Sequence, residues 1–487
     1  MLYRNLLPAL LFLITSPAFS QSRGPWQASS PEDQGINSAT LADALKKAKQ
    51  HGDNIHSLLI IKNNHIVLDA SFYPFKNSYV HDLASVTKSI TSLLIGIAID
   101  KGFIKSENQP ILDFFPECKK ANDTLKAVTI RDLLNMSSGF QCSWNDGERE
   151  LKEMRATKEW VKYMLSLPFA NYPNSQFSYC SGNYYLLAEI LQRTTKVSCL
   201  EFAQSYLFKP LAFGESYWLS NYNGVNHGWG DLHISIYDFA KIGCLVLNDG
   251  IWNDKQIISK QWLEKIQPLH KAHNTESYGH GWWLDSENPD EIQAEGRGGQ
   301  RLFIFKGRNM VIATFGGGGG YDAGDIDNIV LDAIQAYRNG GNSNFLLQKE
   351  IKDVAKSNTS ALTVEKFPDA HLNKRFLLTD NAMGLKGMRF EKRKTGYYIL
   401  LDFINGSKEE HPIGMNDQYR VSKDYEFGLP MAIKGKWAND TLEIHYNRLC
   451  RIEDYRFSIA FKEGNSMELK LIEPSNGINQ TFTGKSL

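Results

Sequence analysis

The sequence has no excess of charge of either sign. Lysine plus arginine and aspartate plus glutamate each number 54 among 487 residues, so the formal net charge is zero. Without a net positive field, the chain lacks the general attraction that draws proteins onto nucleic acid or anionic membranes. We therefore expect no nucleic-acid partner.

Long apolar runs are missing from the chain after residue 20. No segment there reaches the roughly 20 residues that a membrane-spanning helix needs. The first twenty residues carry Arg4, an apolar run from Leu6 to Ile14, and the small residues Ala18 and Ser20. This pattern is typical of a cleavable secretory signal. We predict cleavage after Ser20, a mature protein without a membrane span, and a periplasmic or secreted location. An N-terminal membrane anchor is the alternative, but its apolar run has about half the required length.

Cysteine is scarce, and recognisable metal or cofactor motifs are absent. The six cysteines share no metal-ligand spacing and stand at positions 118, 142, 180, 199, 244 and 450. Export would allow some of them to pair, although the spacing selects no connectivity. His227 and His233 lack the companion ligands of a zinc site, and the run Gly316 to Gly320 lacks the lysine of a phosphate loop. We expect neither a metal nor a cofactor.

The length predicts two or three domains, and a hydrophobic fraction of 42% is typical of globular proteins. From the signal to residue 338, helical patterns separate extended runs near both ends, which indicates one sheet assembled from distant segments. The glycine- and asparagine-rich stretch 339–344 has the composition of a linker. Residues 345–487 alternate in short runs and predict a small all-β barrel or sandwich. The predicted domains are thus residues 1–20, a signal; 21–338, an α/β (α+β) domain; and 345–487, a β-rich domain.

Ser85 and Lys88 form the one Ser-x-x-Lys sequence in the chain, at the start of a long apolar helix pattern. A spacing of three places both side chains on one helical face, and free N–H groups at a helix start favour a negative serine oxygen. A buried lysine that loses its proton through desolvation can activate a serine hydroxyl. The alternative is structural: Ser85 caps the helix and Lys88 extends to solvent.

Tyr179 lies in a turn-like segment directly before the apolar helix that begins near Tyr184. A phenol near the Lys88 ammonium is expected to have a lowered pKa and to relay a proton from the nucleophile to the leaving group. An ordinary half-buried tyrosine is the structural alternative.

Several ordered motifs make residues 31–337 resemble the serine β-lactamase and penicillin-binding-protein-like superfamily, in its class C-like branch with esterases and 6-aminohexanoate-dimer hydrolases. The motifs are Asp82 to Lys88, Thr129 to Leu134 followed by Ser138-Gly139, Tyr179 to Asn183, Gly228 to Gly230, Tyr278 to Trp283 and Gly296 to Gln300. The resemblance implies a β-lactamase/transpeptidase-like fold, an antiparallel sheet flanked by helices. It also implies that Ser85 is the nucleophile, Lys88 its base and Tyr179 the proton relay. Ser181 stands where many relatives carry asparagine, which still allows a hydroxyl contact to Lys88.

In this superfamily the third motif lies on a strand and commonly reads Lys-Thr-Gly or His-Thr-Gly. This chain departs from that form. Gly296 to Gly299 stands in its place, so Gly298 and Gly299 are expected to approach the substrate with their backbone, and the Gly299 N–H is the candidate oxyanion donor. Arg297 is the candidate replacement for the missing cation. Trp282 is the candidate for the pocket wall, together with its neighbour Trp283, and the alternative for one or both is a place in the core. A literal Lys394-Thr395-Gly396 lies in the β-rich region and is predicted to be a turn without function.

The resulting hypothesis is an exported serine hydrolase that acts on an ester or a small peptide-like amide through an acyl-enzyme on Ser85. The missing cation disfavours two alternatives, a β-lactamase and a D,D-carboxypeptidase or penicillin-binding protein. A third alternative is a non-catalytic binding or sensor protein on the same fold. For the C-terminal domain the alternatives are pocket shaping, contact with cell-wall material, or neither of the two.

Overall fold

The computed structural model describes residues 24–51, 54–118, 122–143, 147–273, 276–319, 324–336, 343–357, 367–415, 417–423 and 428–486. The predicted signal, residues 1–20, lies outside these ranges. The strands of the first part are β1 Gln27–Ala28, β2 Ile55–Lys62, β3 His65–Ser71, β4 Val80–Asp82, β5 Tyr217–Trp218, β6 Leu232–Ser235, β7 Ile251–Trp252, β8 Lys255–Gln256, β9 His270–His273, β10 Glu276–Gly279, β11 Trp282–Asp285, β12 Glu291–Gly296, β13 Gln300–Phe305 and β14 Met310–Gly316.

Helices lie between and around these strands. They are α1 Ser38–His51, α2 Thr87–Asp100, α3 Asp123–Ala127, α4 Ile130–Leu134, α5 Arg149–Ala156, α6 Trp160–Leu165, α7 Ser181–Thr195, α8 Cys199–Ala203, α9 Ile236–Leu247, α10 Lys260–Leu263, α11 Gly324–Ala336 and α12 Asn344–Val354. The predicted helix beginning at Ser38, the hairpin around Asn63 and Asn64, and the long helix ending at Asp100 are confirmed. Gly102 follows α2 with φ of 76°, as a glycine after a helix end commonly does.

One sheet organises the first part of the chain. Across the described residues its strand order is β1-β3-β2-β14-β13-β12-β11-β10-β9, antiparallel except for the pair β1 and β3. Leu302 and Ile304 on β13 face a core with α2, α7 and α9, whereas Phe303 and Phe305 face a second core with α1, α11 and α12. This alternation follows from the two-residue repeat of a strand, and it buries both faces of the sheet. The predicted antiparallel sheet flanked by helices is confirmed.

The C-terminal strands form a closed barrel. They are β15 Arg375–Leu378, β16 Leu385–Arg393, β17 Gly396–Phe403, β18 Lys408–Met415, β19 Arg420–Lys423, β20 Pro430–Ala438, β21 Thr441–Arg448, β22 Asp454–Lys462, β23 Ser466–Glu473 and β24 Ile478–Ser486. Neighbouring strands pair antiparallel, and a parallel pairing of β18 with β20 closes a ring of nine described strands, with β19 added on β20. Of the two predicted forms, barrel and sandwich, the barrel is therefore the one observed.

The predicted linker 339–344 lies mostly outside the described residues, and the domain limits stay a prediction. Helix α12 begins at the last residue of this stretch, Asn344, and its Leu347 and Val354 belong to the same apolar core as α1 and α11. The first barrel strand begins only at Arg375. Within the described residues, no helix combines the length and apolar character that crossing a bilayer requires.

Candidate active site

Ser85 lies in a tight turn that feeds directly into helix α2. The turn, Ala84–Val86, is a 3-10 helix, and Ala84 has φ of 46°, an unusual conformation for a residue with a side chain. The backbone N–H of Ala84 donates to the buried Asp82 carboxylate at 2.8 Å. Strained residues of this kind are commonly found at functional sites, where the surrounding structure holds them. The half-buried Ser85 thus has a position fixed by its neighbours.

Lys88 is buried one helical turn after Ser85, with 2% of its surface exposed. Its Nζ donates to Ser85 Oγ at 2.8 Å and to the carbonyl oxygen of Trp229 at 3.0 Å. The turn Ala84–Val86 and helix α2 show no side-chain cap, so the structural alternative of a capping serine and a solvent-exposed lysine is wrong. The pair has the geometry that nucleophile activation requires.

Burial lowers the pKa of Lys88 to about 8, although the negative charges of Glu148 and Asp231 act to raise it. A charged ammonium loses hydration when it is buried, which favours the neutral amine. About a tenth of Lys88 is therefore neutral and able to accept a proton at pH 7, far more than of an ordinary lysine.

Tyr179 is placed over this pair by the segment that leads into α7. Lys88 Nζ lies 4.9 Å from the centre of the Tyr179 ring, and the Tyr179 hydroxyl is hydrogen-bonded to Ser85. Burial, with the charge of Glu148, raises the pKa of Tyr179 well above its usual value and outweighs the Ser85 hydrogen bond. The expected lowering of this pKa by Lys88 is wrong, because burial disfavours the phenolate more than the neighbouring amine favours it. Tyr179 remains a phenol that can donate a proton.

Ser181, the first residue of α7, does not contact Lys88 as expected. Its hydroxyl donates to Glu148, and the hydrogen bonds of Lys88 go to Ser85 and Trp229. A hydroxyl can donate one hydrogen bond, and here the Glu148 carboxylate accepts it. The residue that replaces the asparagine of many relatives therefore connects the site to an acidic group.

Glu148 is a functional candidate that the sequence did not reveal. It lines a small pocket together with Tyr179 and Ser181, and its charge acts on both Lys88 and Tyr179. A disulfide joins Cys142, six residues before Glu148, to Cys180, which lies between Tyr179 and Ser181. The pairing of these two cysteines is the signal that would have located Glu148, and the sequence left that pairing open.

The two adjacent tryptophans of β11 have different surroundings. Trp282 is fully buried, so its expected place in the pocket wall is wrong: no part of it is accessible to a substrate. Trp283 lies beside Tyr179, with ring centres 6.3 Å apart and planes at 17°. Successive strand residues point to opposite faces, and the register brings Trp283 to the site.

The glycine-rich third motif is the turn between β12 and β13, whereas the relatives' motif was expected on a strand. Gly298 and Gly299 have φ of 81° and 93°, which favour glycine, and the Gly299 carbonyl accepts a hydrogen bond from Thr314 at 2.9 Å. A Cβ at Gly296 would lie 2.5 Å from the Leu83 carbonyl oxygen, so this strand end packs against the segment before Ser85. The Gly299 N–H stays a predicted oxyanion donor.

Arg297 does not take the place of the missing cation. Its guanidinium donates to Ser475 at 2.6 Å and to Glu453 at 3.3 Å, both on the barrel. The expectation that it holds a substrate carboxylate is wrong because these barrel residues already bind it. The literal Lys394-Thr395-Gly396 lies at the hairpin between β16 and β17 of the barrel, as predicted.

The predicted role of Lys88 as the base implies a specific pH dependence of turnover. A neutral amine is the active form of a base, so kcat/KM is expected to rise with pH and to level off above about 8. Because the pKa of Tyr179 is raised, no decline is expected through the usual tyrosine range. Measurement of kcat/KM from pH 5 to 10 on an ester substrate tests this.

Glu148→Gln provides the sharper form of this test. The carboxylate raises the pKa of Lys88, so its removal is expected to move the rising limb to lower pH. Glu153→Gln is the matched control, since Glu153 lies on α5, the helix that begins directly after Glu148, and accepts a hydrogen bond from Tyr163 at the surface. Identical profiles for Glu148→Gln and the wild type would show that Glu148 does not act on the base.

Comparison with known proteins gives a consistent result. The family model described as Beta-lactamase matches residues 44–334. The 6-aminohexanoate-dimer hydrolase of Paenarthrobacter ureafaciens is 21% identical over 308 residues, which are 58% of this chain and 78% of that protein. The octameric penicillin-binding protein homologue from Pyrococcus abyssi aligns with a TM-score of 0.50 and 17% identity over 92% of this chain and 99% of that one. EstCE1, a hydrolase with promiscuous acyltransferase activity, aligns with a TM-score of 0.50 and 12% identity over 66% and 99%.

Proposed function

The chain belongs to the beta-lactamase family and is a serine hydrolase, and from this premise we propose that it hydrolyses esters or small peptide-like amides through an acyl-enzyme on Ser85. One observation carries the proposal: Lys88 Nζ, buried and with a lowered pKa, lies 2.8 Å from Ser85 Oγ. A serine and a desolvated amine within hydrogen-bonding distance form an activated nucleophile.

Acylation begins with the transfer of the Ser85 hydroxyl proton to neutral Lys88. The Ser85 oxygen forms a bond to the substrate carbonyl carbon, and the carbonyl oxygen becomes an oxyanion. The N–H of Ser85 and the N–H of Gly299 are the proposed donors to it, because preorganised donors stabilise charge that develops in the transition state. The Trp229 carbonyl holds the Lys88 amine in place while it accepts the proton.

The tetrahedral intermediate then breaks down by proton donation from Tyr179. Its raised pKa keeps it protonated, and its hydrogen bond to Ser85 places it at the reacting centre. Tyr179 gives its proton to the leaving oxygen or nitrogen, the carbon–leaving-group bond breaks, and Lys88 returns the proton to Tyr179. Water releases the acyl group by the reverse sequence of proton transfers.

Export to the periplasm or the exterior is part of the proposal. It is supported by the signal-like residues 1–20 and by the disulfide between Cys142 and Cys180, since disulfides persist in oxidising compartments. The candidate substrate is a small ester or peptide-like amide. Contact of the barrel with cell-wall material stays a prediction.

A fluorophosphonate probe tests the nucleophile directly. We expect peptide mass spectrometry to find the adduct on Ser85, and p-nitrophenyl butyrate to give p-nitrophenol with a burst if deacylation is slow. An adduct on another serine would contradict the assignment of Ser85. Absence of both labelling and ester turnover would favour a non-catalytic binding protein.

A further inference from the structure

One connection of the barrel, the segment Leu449–Glu453 between β21 and β22, lies against the active site. Leu449, Cys450 and Ile452 of this barrel loop are fully buried. Leu449 packs with Phe75, and Cys450 packs with Val80, both from the first part of the chain. The barrel loop is therefore anchored in the catalytic part by apolar contacts.

The barrel loop holds the segment that precedes the nucleophile. The Asp82 N–H donates to the Cys450 carbonyl oxygen at 2.8 Å, and the Asp82 carboxylate in turn accepts from the Ala84 N–H at 2.8 Å. Two consecutive hydrogen bonds thus run from the barrel to the residue before Ser85. Ala84 is the residue with the unfavourable φ, so it depends on such external support.

The same loop holds the glycine-rich turn on the other side of the site. A Cβ at Gly298 would lie 2.4 Å from Ile452 Cγ2, which shows how closely the isoleucine covers the turn. Glu453 forms an ion pair with Arg297 at 3.3 Å, and Ser475 accepts from the same guanidinium. The Ile452 carbonyl oxygen also accepts from the Gly318 N–H at 2.7 Å, beyond the end of β14.

We propose that the barrel loop Leu449–Glu453 positions the active site by fixing the Ser85 segment and the Arg297–Gly299 turn relative to each other, so that turnover depends on the barrel. The two proposed oxyanion donors lie on these two segments, and their separation decides how well they bind the transition state. The inference rests on the proposed function of Ser85. It gives Arg297 a role as a positioning residue.

Two variants of the loop test this on the full-length protein. Ile452→Ala removes the side chain under Gly298, and Glu453→Gln removes one charge of the ion pair with nearly the same shape. We expect kcat for p-nitrophenyl butyrate to fall about 10-fold or more in each, with KM within about twofold, because misplaced donors weaken transition-state binding more than substrate binding. Glu410→Gln is the control, since it breaks a similar barrel ion pair, with Arg393, away from the loop.

Hydrogen exchange gives a readout that does not depend on turnover. Peptides that contain Asp82–Val86 and Arg297–Gln300 are expected to exchange faster in the loop variants than in Glu410→Gln. If Ile452→Ala fails to fold, Glu453→Gln decides. Wild-type exchange and wild-type kcat in a folded Glu453→Gln protein would overturn the proposal. Failure of the wild-type protein to be labelled at Ser85 would instead overturn the proposed function, and the exchange data would still decide whether the loop fixes the two segments.

Discussion

Ser85→Ala is expected to lower kcat on the order of 10⁴-fold or more while the protein stays folded. The change removes the atom that would form the covalent bond, and loss of a nucleophile eliminates the whole acyl-enzyme route. Ser85 makes no cap hydrogen bond in the turn Ala84–Val86, so the free energy of unfolding should change by no more than about 1 kcal/mol. Steady-state hydrolysis of p-nitrophenyl butyrate, together with thermal unfolding, measures both quantities.

Lys394→Ala is the control for this experiment. It removes the lysine of the literal Lys-Thr-Gly in a barrel hairpin, and we expect its kcat to stay within twofold of wild type. Turnover by Ser85→Ala near the wild-type rate would show that another residue is the nucleophile. A large loss in Lys394→Ala would mean that the third motif is not the Gly296–Gly299 segment.

The catalytic sheet and its helices were predictable because their signals are local. Apolar periodicity and turn residues defined α1, α2 and the β2–β3 hairpin, and ordered motifs related the segments to one another. The Ser85–Lys88 pair is also a local signal, since a spacing of three on a helix brings the side chains together wherever the helix lies. Its hydrogen bond needed no information about the rest of the chain.

Contacts between distant segments were not predictable. Arg297 meets Glu453 and Ser475, which lie 156 and 178 residues away, and no local pattern brings a turn of one domain to a loop of another. Which of the two tryptophans of β11 faces the site was not predictable for a different reason. Both faces of this sheet are buried, so apolar residues occupy both phases of a strand and the sequence does not reveal which phase faces the site.

The direction of the Tyr179 pKa shift also required the structure. A nearby amine and burial shift the pKa of a phenol in opposite directions, and the size of neither effect can be read from the sequence. In the fold, Tyr179 is 7% exposed and lies near the Glu148 carboxylate, so the phenol is favoured. In the proposed mechanism, Lys88 therefore acts first as the base, and Tyr179 acts after it as the acid.

Substrates that carry a carboxylate are expected to be poor, and nitrocefin is the first example. Penicillins and cephalosporins present a carboxylate that relatives hold with the cation of the third motif, through a charged hydrogen bond that contributes roughly 1.5 to 3 kcal/mol. Here Arg297 is bound by Glu453, and Arg301 pairs with Glu295. The charges of Glu148 and Glu295 act on Tyr179 and would repel an anion. We expect kcat/KM for nitrocefin to be at least about 10²-fold below that for p-nitrophenyl butyrate, since each 1.4 kcal/mol is a factor of ten and poor orientation lowers the rate further.

A matched pair of esters separates the effect of charge from the reactivity of the lactam. p-Nitrophenyl hexanoate and the mono-p-nitrophenyl ester of adipic acid have acyl chains of the same length and differ by one terminal carboxylate. The neutral ester is expected to have the higher kcat/KM, and the difference should shrink at high salt, which screens charges. If the Glu148 carboxylate contributes to the repulsion of the anionic ester, Glu148→Gln should also reduce the difference in kcat/KM between the two esters. Nitrocefin turnover equal to that of the neutral ester would show that another cation orients the antibiotic. The first residue to substitute would then be Arg451 of the barrel loop, whose charge acts on Asp82.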